Sequence, residues 1–309
     1  MAAFTLSTSK NKRCPLVKRT FHPITWAIIW MTGALASFIA MALAGRALSS
    51  SLGTFQILFF RSLCGLIVIS ILLGRSGWRQ IFTGKLRWHV LRNVSHFGGQ
   101  FGWFYGLAFI PLAEVFAIEF TAPIWTALVA AILLKERLTP TRIGVIVSGL
   151  IGVLIIVKPG TGLMQPAAFA VLLGAIAYAV SYVMTKKLSS TESPLCILFY
   201  MTVIQLPLGL IPSLGNFTIP PLFTWPLIFI VGVTALSAHF CITKAMSFAD
   251  ATIVVPMDFL RLPIIALIGA ALYGESVHST VFVGAALIMG ANLFGLLYER
   301  RNQGLAKAK

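Results

Sequence analysis

Residues Glu119–Glu136 read EFTAPIWTALVAAILLKE, and a second version of this pattern, DFLRLPIIALIGAALYGE, occupies Asp258–Glu275. Each stretch begins with an acid followed by Phe, carries an Ala-Leu pair near its centre and ends with Glu. Two shorter motifs recur at nearly the same offset: Leu-Ser-Ser at 48–50 and 188–190, and an aromatic pair at 59–60 and 199–200. The chain therefore contains an internal duplication, and each copy places an acidic residue within an apolar run.

The composition is that of a membrane protein. Hydrophobic residues make up 58% of the 309 residues, charged residues make up 10%, and the mean hydropathy is +0.91. Soluble domains contain about 45–50% apolar residues, and no core beneath a water-facing surface is expected here. Apolar runs of about 20 residues, the length that crosses a bilayer, predict ten transmembrane helices, near 24–44, 54–74, 89–110, 112–134, 141–157, 167–186, 195–214, 224–246, 250–273 and 280–298.

The distribution of positive charge predicts the orientation of these helices. A net charge of +16 could indicate a nucleic-acid partner, but the positions of the Lys and Arg residues along the chain argue otherwise. With the N-terminus inside, only Arg46 and Lys158 of the 24 Lys and Arg residues fall on the outer side, and only Arg61 and Arg261 lie within the bilayer. This positive-inside bias explains the basic composition without nucleic acid. We therefore expect a multi-pass protein of a cell inner (plasma) membrane with both termini in the cytoplasm.

Catalytic and metal-binding motifs are not recognised in the sequence. The four cysteines (14, 64, 196 and 241) lack the spacing of a metal or redox site, and three lie in apolar runs, where they are expected to pack. The chain carries no HExxH, GxSxG, GxGD or phosphate-loop motif. We therefore expect no enzyme activity, no cofactor and no bound metal. The basic N-terminal segment runs into a long span, which does not fit a cleaved signal peptide.

Five spans in each copy mean that the second copy enters the membrane from the opposite side. The predicted organisation is a cytoplasmic basic tail (1–23), a first five-helix repeat (24–158), an inverted second five-helix repeat (167–298) and a second cytoplasmic tail (299–309). Inverted repeats of this kind recur in secondary transporters. The loops are too short for an extramembrane domain. The oligomeric state is left open.

The predicted helix 89–110 has two opposite faces. One is a ridge of small residues at four-residue spacing: Gly98, Gly102 and Gly106. The other is a polar stripe with the same spacing: Arg92, His96 and Gln100. At 3.6 residues per turn these two rows lie on different sides of the helix. The ridge suits close packing against a neighbouring helix, whereas the polar stripe needs water, a partner or a ligand.

Four charged residues lie within predicted spans: Arg61, Glu119, Asp258 and Arg261. A charge at mid-bilayer costs about 2.5–3.5 kcal/mol on insertion scales, so these side chains are expected to face the bundle interior. Asp258 and Arg261 are three residues apart and share one helical face, and Glu119 lies at a depth where it can pair with Arg61. Ion pairs that only hold the bundle together are the alternative interpretation.

Three observations favour a functional role for the two acids. They straddle the predicted midplane, where inverted-repeat transporters bind substrate. Prolines at 123, 256 and 263 flank them, and proline frees backbone groups and permits bending. An apolar environment disfavours a charged carboxylate, so either acid could carry a proton. Among the other polar residues, His239 is either a core histidine or a cavity ligand, and Gln205 and Asn292 are expected to link helices.

The chain resembles the drug/metabolite transporter superfamily and, within it, the EamA-type ten-helix transporters. The resemblance extends over 24–298, and it rests on GLAFIPLAEVFAIEFTAPIW (106–125), LLKERL (133–138), GLIGVLIIVKP (149–159), TKAMSFADATIVVPMDFLRLP (243–263) and YGE (273–275). It implies a central cavity and alternating access to a small polar solute. The residues that it places at the cavity are Glu119, Asp258 and Arg261, with His96, Gln100 and His239 behind them. Arg61 matches an arginine often found in the second helix of such proteins, whereas the second repeat has Met201 at that position.

The leading hypothesis is a secondary active transporter of a small polar or zwitterionic metabolite, such as an amino acid, a purine or an S-adenosylmethionine-like compound. Balanced acids and bases suit a zwitterion, because each end finds a counter-charge. The alternatives are a non-transporting membrane scaffold or receptor with structural ion pairs, and a channel. The expected partners are the substrate and the lipid bilayer. The substrate itself, the direction of transport and proton coupling are left open.

Overall fold

The computed structural model describes residues 23–133, 139–157, 165–249, 254, 257–276 and 278–307, and over these residues the chain is mostly helical without a β-strand. The α-helices are α1 (Pro23–Leu48), α2 (Thr54–Ser76), α3 (Leu86–Phe109), α4 (Leu112–Glu119), α5 (Ala122–Leu133), α6 (Pro140–Val157), α7 (Pro166–Ser189), α8 (Pro194–Ser213), α9 (Trp225–Phe248), α10 (Arg261–Tyr273) and α11 (Ser279–Lys307). Short 3₁₀ helices occupy Trp78–Ile81, Leu214–Asn216 and Leu222–Thr224.

Predicted and observed helices agree to within a few residues over most of the described chain. The predicted span 112–134 is divided into α4 and α5, and α10 begins only at Arg261, after the acid of the second stretch. The last helix continues to Lys307, beyond the predicted end at 298. The basic tail up to residue 22, the last residues of the first stretch including Glu136, Pro256, and most of the segment between the repeats lie outside the described residues.

Within the described ranges, six helical segments are long and apolar enough to cross a bilayer: Ile24–Leu48, Thr54–Ser76, Leu112–Leu133, Pro166–Ser189, Pro194–Asn216 and Leu222–Phe248. Three shorter apolar helices accompany them: Ile143–Ile156, Arg261–Tyr273 and Ser279–Gly295. Helix α3 belongs to neither group, because the polar stripe and its neighbours lower its mean hydropathy. The chain is therefore a multi-pass helical membrane protein.

Helices that are distant in the sequence pack along one another. Helix α1 lies along α9, α3 along α7, α2 along α8, and α6 along α11, while α4 contacts α10 and α7. Most of α4 is fully buried: Leu112, Ala113, Val115, Phe116, Ala117 and Ile118 have no exposed surface. In lipid such contacts stabilise mainly through close van der Waals packing, so α4 is an inner helix of the bundle.

The glycine ridge of α3 faces α7, in agreement with the packing role predicted for it. A Cβ atom at Gly102 would collide with the carbonyl oxygen of Ala170 and lie 3.1 Å from Cα of Gly174. At Gly98, by contrast, a Cβ atom would lie 3.7 Å from Cβ of Ala177, an ordinary contact. The two helix backbones thus touch at Gly102, where no side chain can be accommodated without moving α7.

We therefore predict different effects on stability for the same change, glycine to alanine, at Gly102 and at Gly98. Gly102→Ala should destabilise the protein by about 1–3 kcal/mol, as expected for overpacking, because the backbone of α7 has to shift. Gly98→Ala should leave stability nearly unchanged. Thermal unfolding of the detergent-solubilised protein, followed by fluorescence-detected size exclusion, measures both, and equal unfolding temperatures would contradict the close contact.

An ion pair joins several helices at the end of the bundle predicted to face outward. The Arg46 Nη2 atom lies 2.9 Å from Glu275 Oε1, and the same guanidinium donates to two backbone carbonyls near the end of α3. Glu275 Oε2 accepts a hydrogen bond from the backbone N–H of Leu112 at 2.9 Å, which satisfies a free donor at the start of α4. Gly274, with φ of 63°, ends α10 in the left-handed conformation and turns the chain. Glu275 therefore has a structural role: it pairs with Arg46 and caps the start of α4.

Substitutions at Glu275 separate its charge from its capping role. Glu275→Gln keeps an oxygen for the N–H of Leu112 but removes the charge, whereas Glu275→Ala removes both. We predict that both variants unfold at lower temperature and that Ala costs about 1 kcal/mol more than Gln, the usual value of a helix cap. An alanine variant as stable as the glutamine variant would exclude the capping role.

Candidate functional site

Both acids of the duplicated stretches lie where a helix is interrupted. Helix α4 ends at Glu119, and α5 begins at Ala122. Pro123 has no N–H to donate to the carbonyl of Glu119 four residues earlier, so a regular helix cannot continue through this point. In the second stretch, two turn residues follow Asp258 before α10 begins at Arg261. The helix break after Glu119 agrees with the prediction from Pro123, whereas the prediction for Pro256 lies outside the described residues.

Arg261 lies between the two acids. Its Nη2 atom is 2.7 Å from Asp258 Oδ2 and 3.8 Å from Glu119 Oε1. Trp103 Nε1–H donates to Glu119 Oε2 at 2.9 Å. The predicted Asp258–Arg261 pair is confirmed, but Arg261 rather than Arg61 lies next to Glu119, because α2 packs against α8 and α9. Two ionised carboxylates around one guanidinium leave one net negative charge; we call these three residues the central charge cluster.

Aromatic rings cover the remaining surface of the Arg261 guanidinium. The ring centroids lie 4.2 Å (Phe38), 5.2 Å (Phe120) and 5.4 Å (Phe116) from its central carbon, within the range of cation–π attraction. The side chain of Arg261 is 4% exposed, against 17% for Glu119 and 23% for Asp258. The side chains of the two acids are therefore more accessible than that of Arg261, although the Asp258 Oδ1 atom itself is buried.

The two helix interruptions lie side by side. Phe120 and Phe259, which follow the two acids, contact each other with ring centroids 5.2 Å apart and an interplanar angle of 80°. Asn292 of α11 donates to the carbonyl of Phe120 at 3.2 Å, which satisfies a backbone group left free by the break. This contact confirms the interhelical link predicted for Asn292. Residues at equivalent positions of the duplication thus meet at the centre of the bundle.

His96 and Gln100 of the polar stripe belong to a buried hydrogen-bonded group. His96 Nδ1 lies 2.9 Å from Gln100 Nε2 and 3.0 Å from Gln205 Nε2. Both amides can donate to this nitrogen when the ring carries its proton on Nε2. Gln205 also donates to the carbonyl of Asn93 at 3.2 Å. The group links α3 to α8, as predicted for Gln205, and its side chains are buried rather than exposed to a cavity.

Two more arginines are buried near this group, and neither has an acidic partner in the described part of the chain. Arg61 of α2 is 7% exposed, and its Nε atom has no hydrogen-bond partner there. Arg92 of α3 donates to Thr185 Oγ1 at 2.8 Å and to Asn93 Oδ1 at 2.5 Å. Both lie close enough to His96 to affect it electrostatically. Arg61 and Arg92 both act electrostatically on His96 and His239, and we call these two residues the positive region.

Two exposed side chains lie between these regions. His239 of α9 is exposed, although it interacts electrostatically with arginines of α2, α3 and α10. Tyr182 of α7 is 43% exposed, although it interacts electrostatically with Glu119 and Arg261. The interpretation of His239 as a cavity ligand stays a prediction.

Sequence reasoning missed the aromatic neighbours of the central charge cluster. Phe38 and Phe116 contact Arg261, but a Phe in an apolar helix carries no signal of such a role. The bond from Trp103 to Glu119 joins α3 to α4 across the short connection between them. A buried guanidinium requires polarisable neighbours, so aromatic rings near Arg261 could have been expected in general, but not which ones.

If Arg261 compensates the charge of Glu119 and Asp258, removing it should lower the stability of the folded protein. Arg261→Met should cost about 3–5 kcal/mol, the effect of leaving buried charge unpaired, because two carboxylates would then face each other. Adding Glu119→Gln and Asp258→Asn to this variant should recover much of the loss. Unfolding temperatures in detergent test this, and a triple variant no more stable than the single one would exclude charge compensation.

The fold and the site together define a class of protein: a multi-pass helical membrane protein with ionised groups at interrupted helices inside its bundle, as in secondary transporters. The model of the EamA-like transporter family matches the chain twice, over residues 25–158 and 165–296. The chain belongs to this family. It is accordingly a transporter and not an enzyme, as the sequence predicted.

Individual proteins of known name or structure are similar over most of the chain. A riboflavin transporter of Brucella anthropi is 31% identical over 274 residues, which cover 85% of this chain and 96% of that protein. An S-adenosylmethionine uptake transporter of Rickettsia bellii is 29% identical over 273 residues, 88% of this chain and 94% of that protein. A crystal structure with 19% sequence identity superposes with a TM-score of 0.59 and covers 89% of this chain and 98% of its own, and so shares the fold.

Proposed function

We propose that the protein is a secondary active transporter that moves a small zwitterionic metabolite across the inner membrane by alternating access. Ten spans form two inverted five-helix repeats, 24–158 and 167–298, with both termini in the cytoplasm. The observation that carries the proposal is the pair of unlike charged regions inside the bundle, one with excess negative charge and one with excess positive charge. A transporter of this kind binds its substrate near the midplane, between the repeats.

The packing partners support the inverted-repeat arrangement. In this arrangement α1, α2, α3 and α6 of the first repeat are equivalent to α7, α8, α9 and α11 of the second. Exchanging equivalent helices converts the α1–α9 contact into the α7–α3 contact, and both contacts are present. The same exchange maps the α2–α8 and α6–α11 contacts onto themselves. Such a pattern is expected when a pseudo-two-fold axis relates the repeats. The interrupted helices beside this axis are suitable hinges, because residues at a helix break can change their dihedral angles without disrupting a continuous hydrogen-bond ladder.

The two regions provide for the two ends of a zwitterion. The carboxylates of Glu119 and Asp258 share one guanidinium, their side chains are partly exposed, and Asp258 Oδ1 has no hydrogen-bond partner among the described residues, so they can accept a cationic group of the substrate. Arg61, with an unpartnered Nε atom, can receive a carboxylate. Tyr182, stacked on Tyr178 with centroids 6.1 Å apart, offers an exposed ring to a heterocycle. The same carboxylates could alternatively take up a proton that drives transport.

S-adenosylmethionine meets all three requirements, since it carries cationic groups, a carboxylate and a purine ring. The similarity to the Rickettsia bellii transporter supports this substrate class. Riboflavin is the second candidate, and the similarity to the Brucella anthropi protein favours it. Because riboflavin has an aromatic ring system without a zwitterionic group, it would use the tyrosines and leave the charged regions unpaired.

We predict that Glu119→Gln and Asp258→Asn each reduce transport at least tenfold while the protein still reaches the membrane, because each removes charge that the substrate or a proton requires. Glu114→Gln, on the same helix as Glu119, serves as the control and should retain transport. Counterflow in proteoliposomes, with a panel of S-adenosylmethionine, riboflavin, amino acids and nucleobases at two pH values, gives the measurement.

The panel distinguishes the remaining possibilities. Normal counterflow by both variants would refute the role of the acids, and transport of riboflavin alone would refute the zwitterionic substrate. If the Gln and Asn variants keep exchange but lose accumulation at acidic outside pH, the acids carry the coupling proton rather than the substrate's cationic group.

A further inference from the structure

A second group of chemically reactive side chains lies far from the central charge cluster. Ligand atoms of His89, Glu192 and Cys196 all lie within 4.8 Å of one another. These residues come from the first turn of α3, the turn after α7 and the first turn of α8. The charge distribution places this end of the bundle on the cytoplasmic side.

His89 is the unusual member of the group. It has no exposed surface, and neither of its ring nitrogens has a hydrogen-bond partner among the residues that the structure describes. Its ring is held against Tyr200, with centroids 4.5 Å apart. A buried imidazole costs free energy when it makes no polar contact, so a group that binds one of its nitrogens would stabilise this arrangement.

The other two side chains are held in place by neighbours. Cys196 Sγ lies 3.4 Å from Glu192 Oε2, while Glu192 Oε1 accepts a hydrogen bond from Thr83 Oγ1 at 2.8 Å. The backbone N–H of Cys196 donates to Ser193 Oγ at 3.1 Å, the side-chain cap of α8. One carboxylate oxygen is therefore oriented by Thr83, and the other faces the thiol.

We propose that His89, Glu192 and Cys196 bind one divalent transition-metal ion, of which Zn²⁺ is the best match. An imidazole nitrogen, a thiolate and a carboxylate oxygen are its usual ligands, whereas Mg²⁺ and Ca²⁺ take oxygen ligands alone. Tetrahedral zinc ligands lie roughly 3.3–3.6 Å apart, so the three side chains need only a small contraction.

The charges of the site fit a divalent cation. Binding releases the thiol proton of Cys196 to solvent, and the thiolate and the Glu192 carboxylate then neutralise the ion. In the described part of the chain, two positive groups act against it: Arg92, which interacts electrostatically with His89 but is engaged by Thr185 and Asn93, and Lys85, whose Nζ atom donates to Thr191 Oγ1 at 2.6 Å. The ion would tie the start of α3 to the start of α8, and a fourth position would remain for water or another ligand.

Cobalt binding tests the proposal on the full-length protein, purified with a tag that contains no histidine and stripped with a chelator. One equivalent of Co²⁺ should produce a near-ultraviolet thiolate-to-cobalt band together with visible bands of tetrahedral intensity, and Zn²⁺ should displace them. Cys196→Ser should abolish the thiolate band. Thr83→Val should weaken binding roughly 10–100-fold, as second-shell changes do. Cys64→Ser and Cys241→Ser, matched controls outside the group, should bind as the unmodified protein does.

Two results would overturn the site. The first is the absence of a stoichiometric thiolate band in the folded, monodisperse unmodified protein, which does not depend on whether any variant folds. The second is equal metal content in the unmodified protein and in Cys196→Ser, since this would identify an adventitious ion bound elsewhere.

Discussion

The burial of the Arg261 guanidinium in an apolar bundle is the constraint on which the arrangement of the central helices depends. A charge in this environment is tolerated only with opposite charge and polarisable neighbours close by. The acids come from the two interrupted helices, the nearest phenylalanine from α1, and the tryptophan that holds Glu119 from α3. Four segments of the bundle thus meet at or next to this side chain, and both carboxylates lie within 3.8 Å of it.

The two ion pairs at Arg46 and Arg261 differ in a way that separates structure from function. Arg46 faces one acid, Glu275, and the bonds of this pair extend to backbone groups of α3 and α4. Arg261 faces two acids, and Asp258 Oδ1 together with two guanidinium nitrogens lacks a partner among the described residues. A pair that serves only stability is expected to satisfy its polar atoms. The surplus of acid and the unpartnered atoms at the centre fit a site that is completed by something else.

The parts of this molecule that follow from local sequence were predictable. Hydrophobic runs located the helices, the i,i+3 spacing gave the Asp258–Arg261 pair, and proline indicated the break after Glu119. The four-residue spacing of glycines correctly gave the packing face of α3.

Contacts between distant segments were not accessible in the same way. Glu119 was matched with Arg61 by depth alone, and depth does not say which helices are neighbours. His89 and Cys196 lie more than a hundred positions apart in the chain, so no spacing rule connects them, and only the packing of α3 near α8 brings them together. The spacing of the polar stripe also did not reveal that its residues have different partners. Arg92 donates to Thr185 of α7, whereas Gln100 contacts His96 of its own helix.

The two copies of the duplicated sequence share their acidic residue but differ in their arginines. Glu119 and Asp258 occupy equivalent positions, but Arg261 corresponds to Ala122 in the first copy, and Arg61 corresponds to Met201 in the second. A site built from identical halves around a two-fold axis would present the same charge at both ends, and a substrate with unlike ends would bind it poorly in either orientation. In the transport mechanism that we propose, one arginine between the acids and another on α2, each without a counterpart, give the two ends of the interior different charge, while the repeated backbone provides the symmetry that alternating access uses.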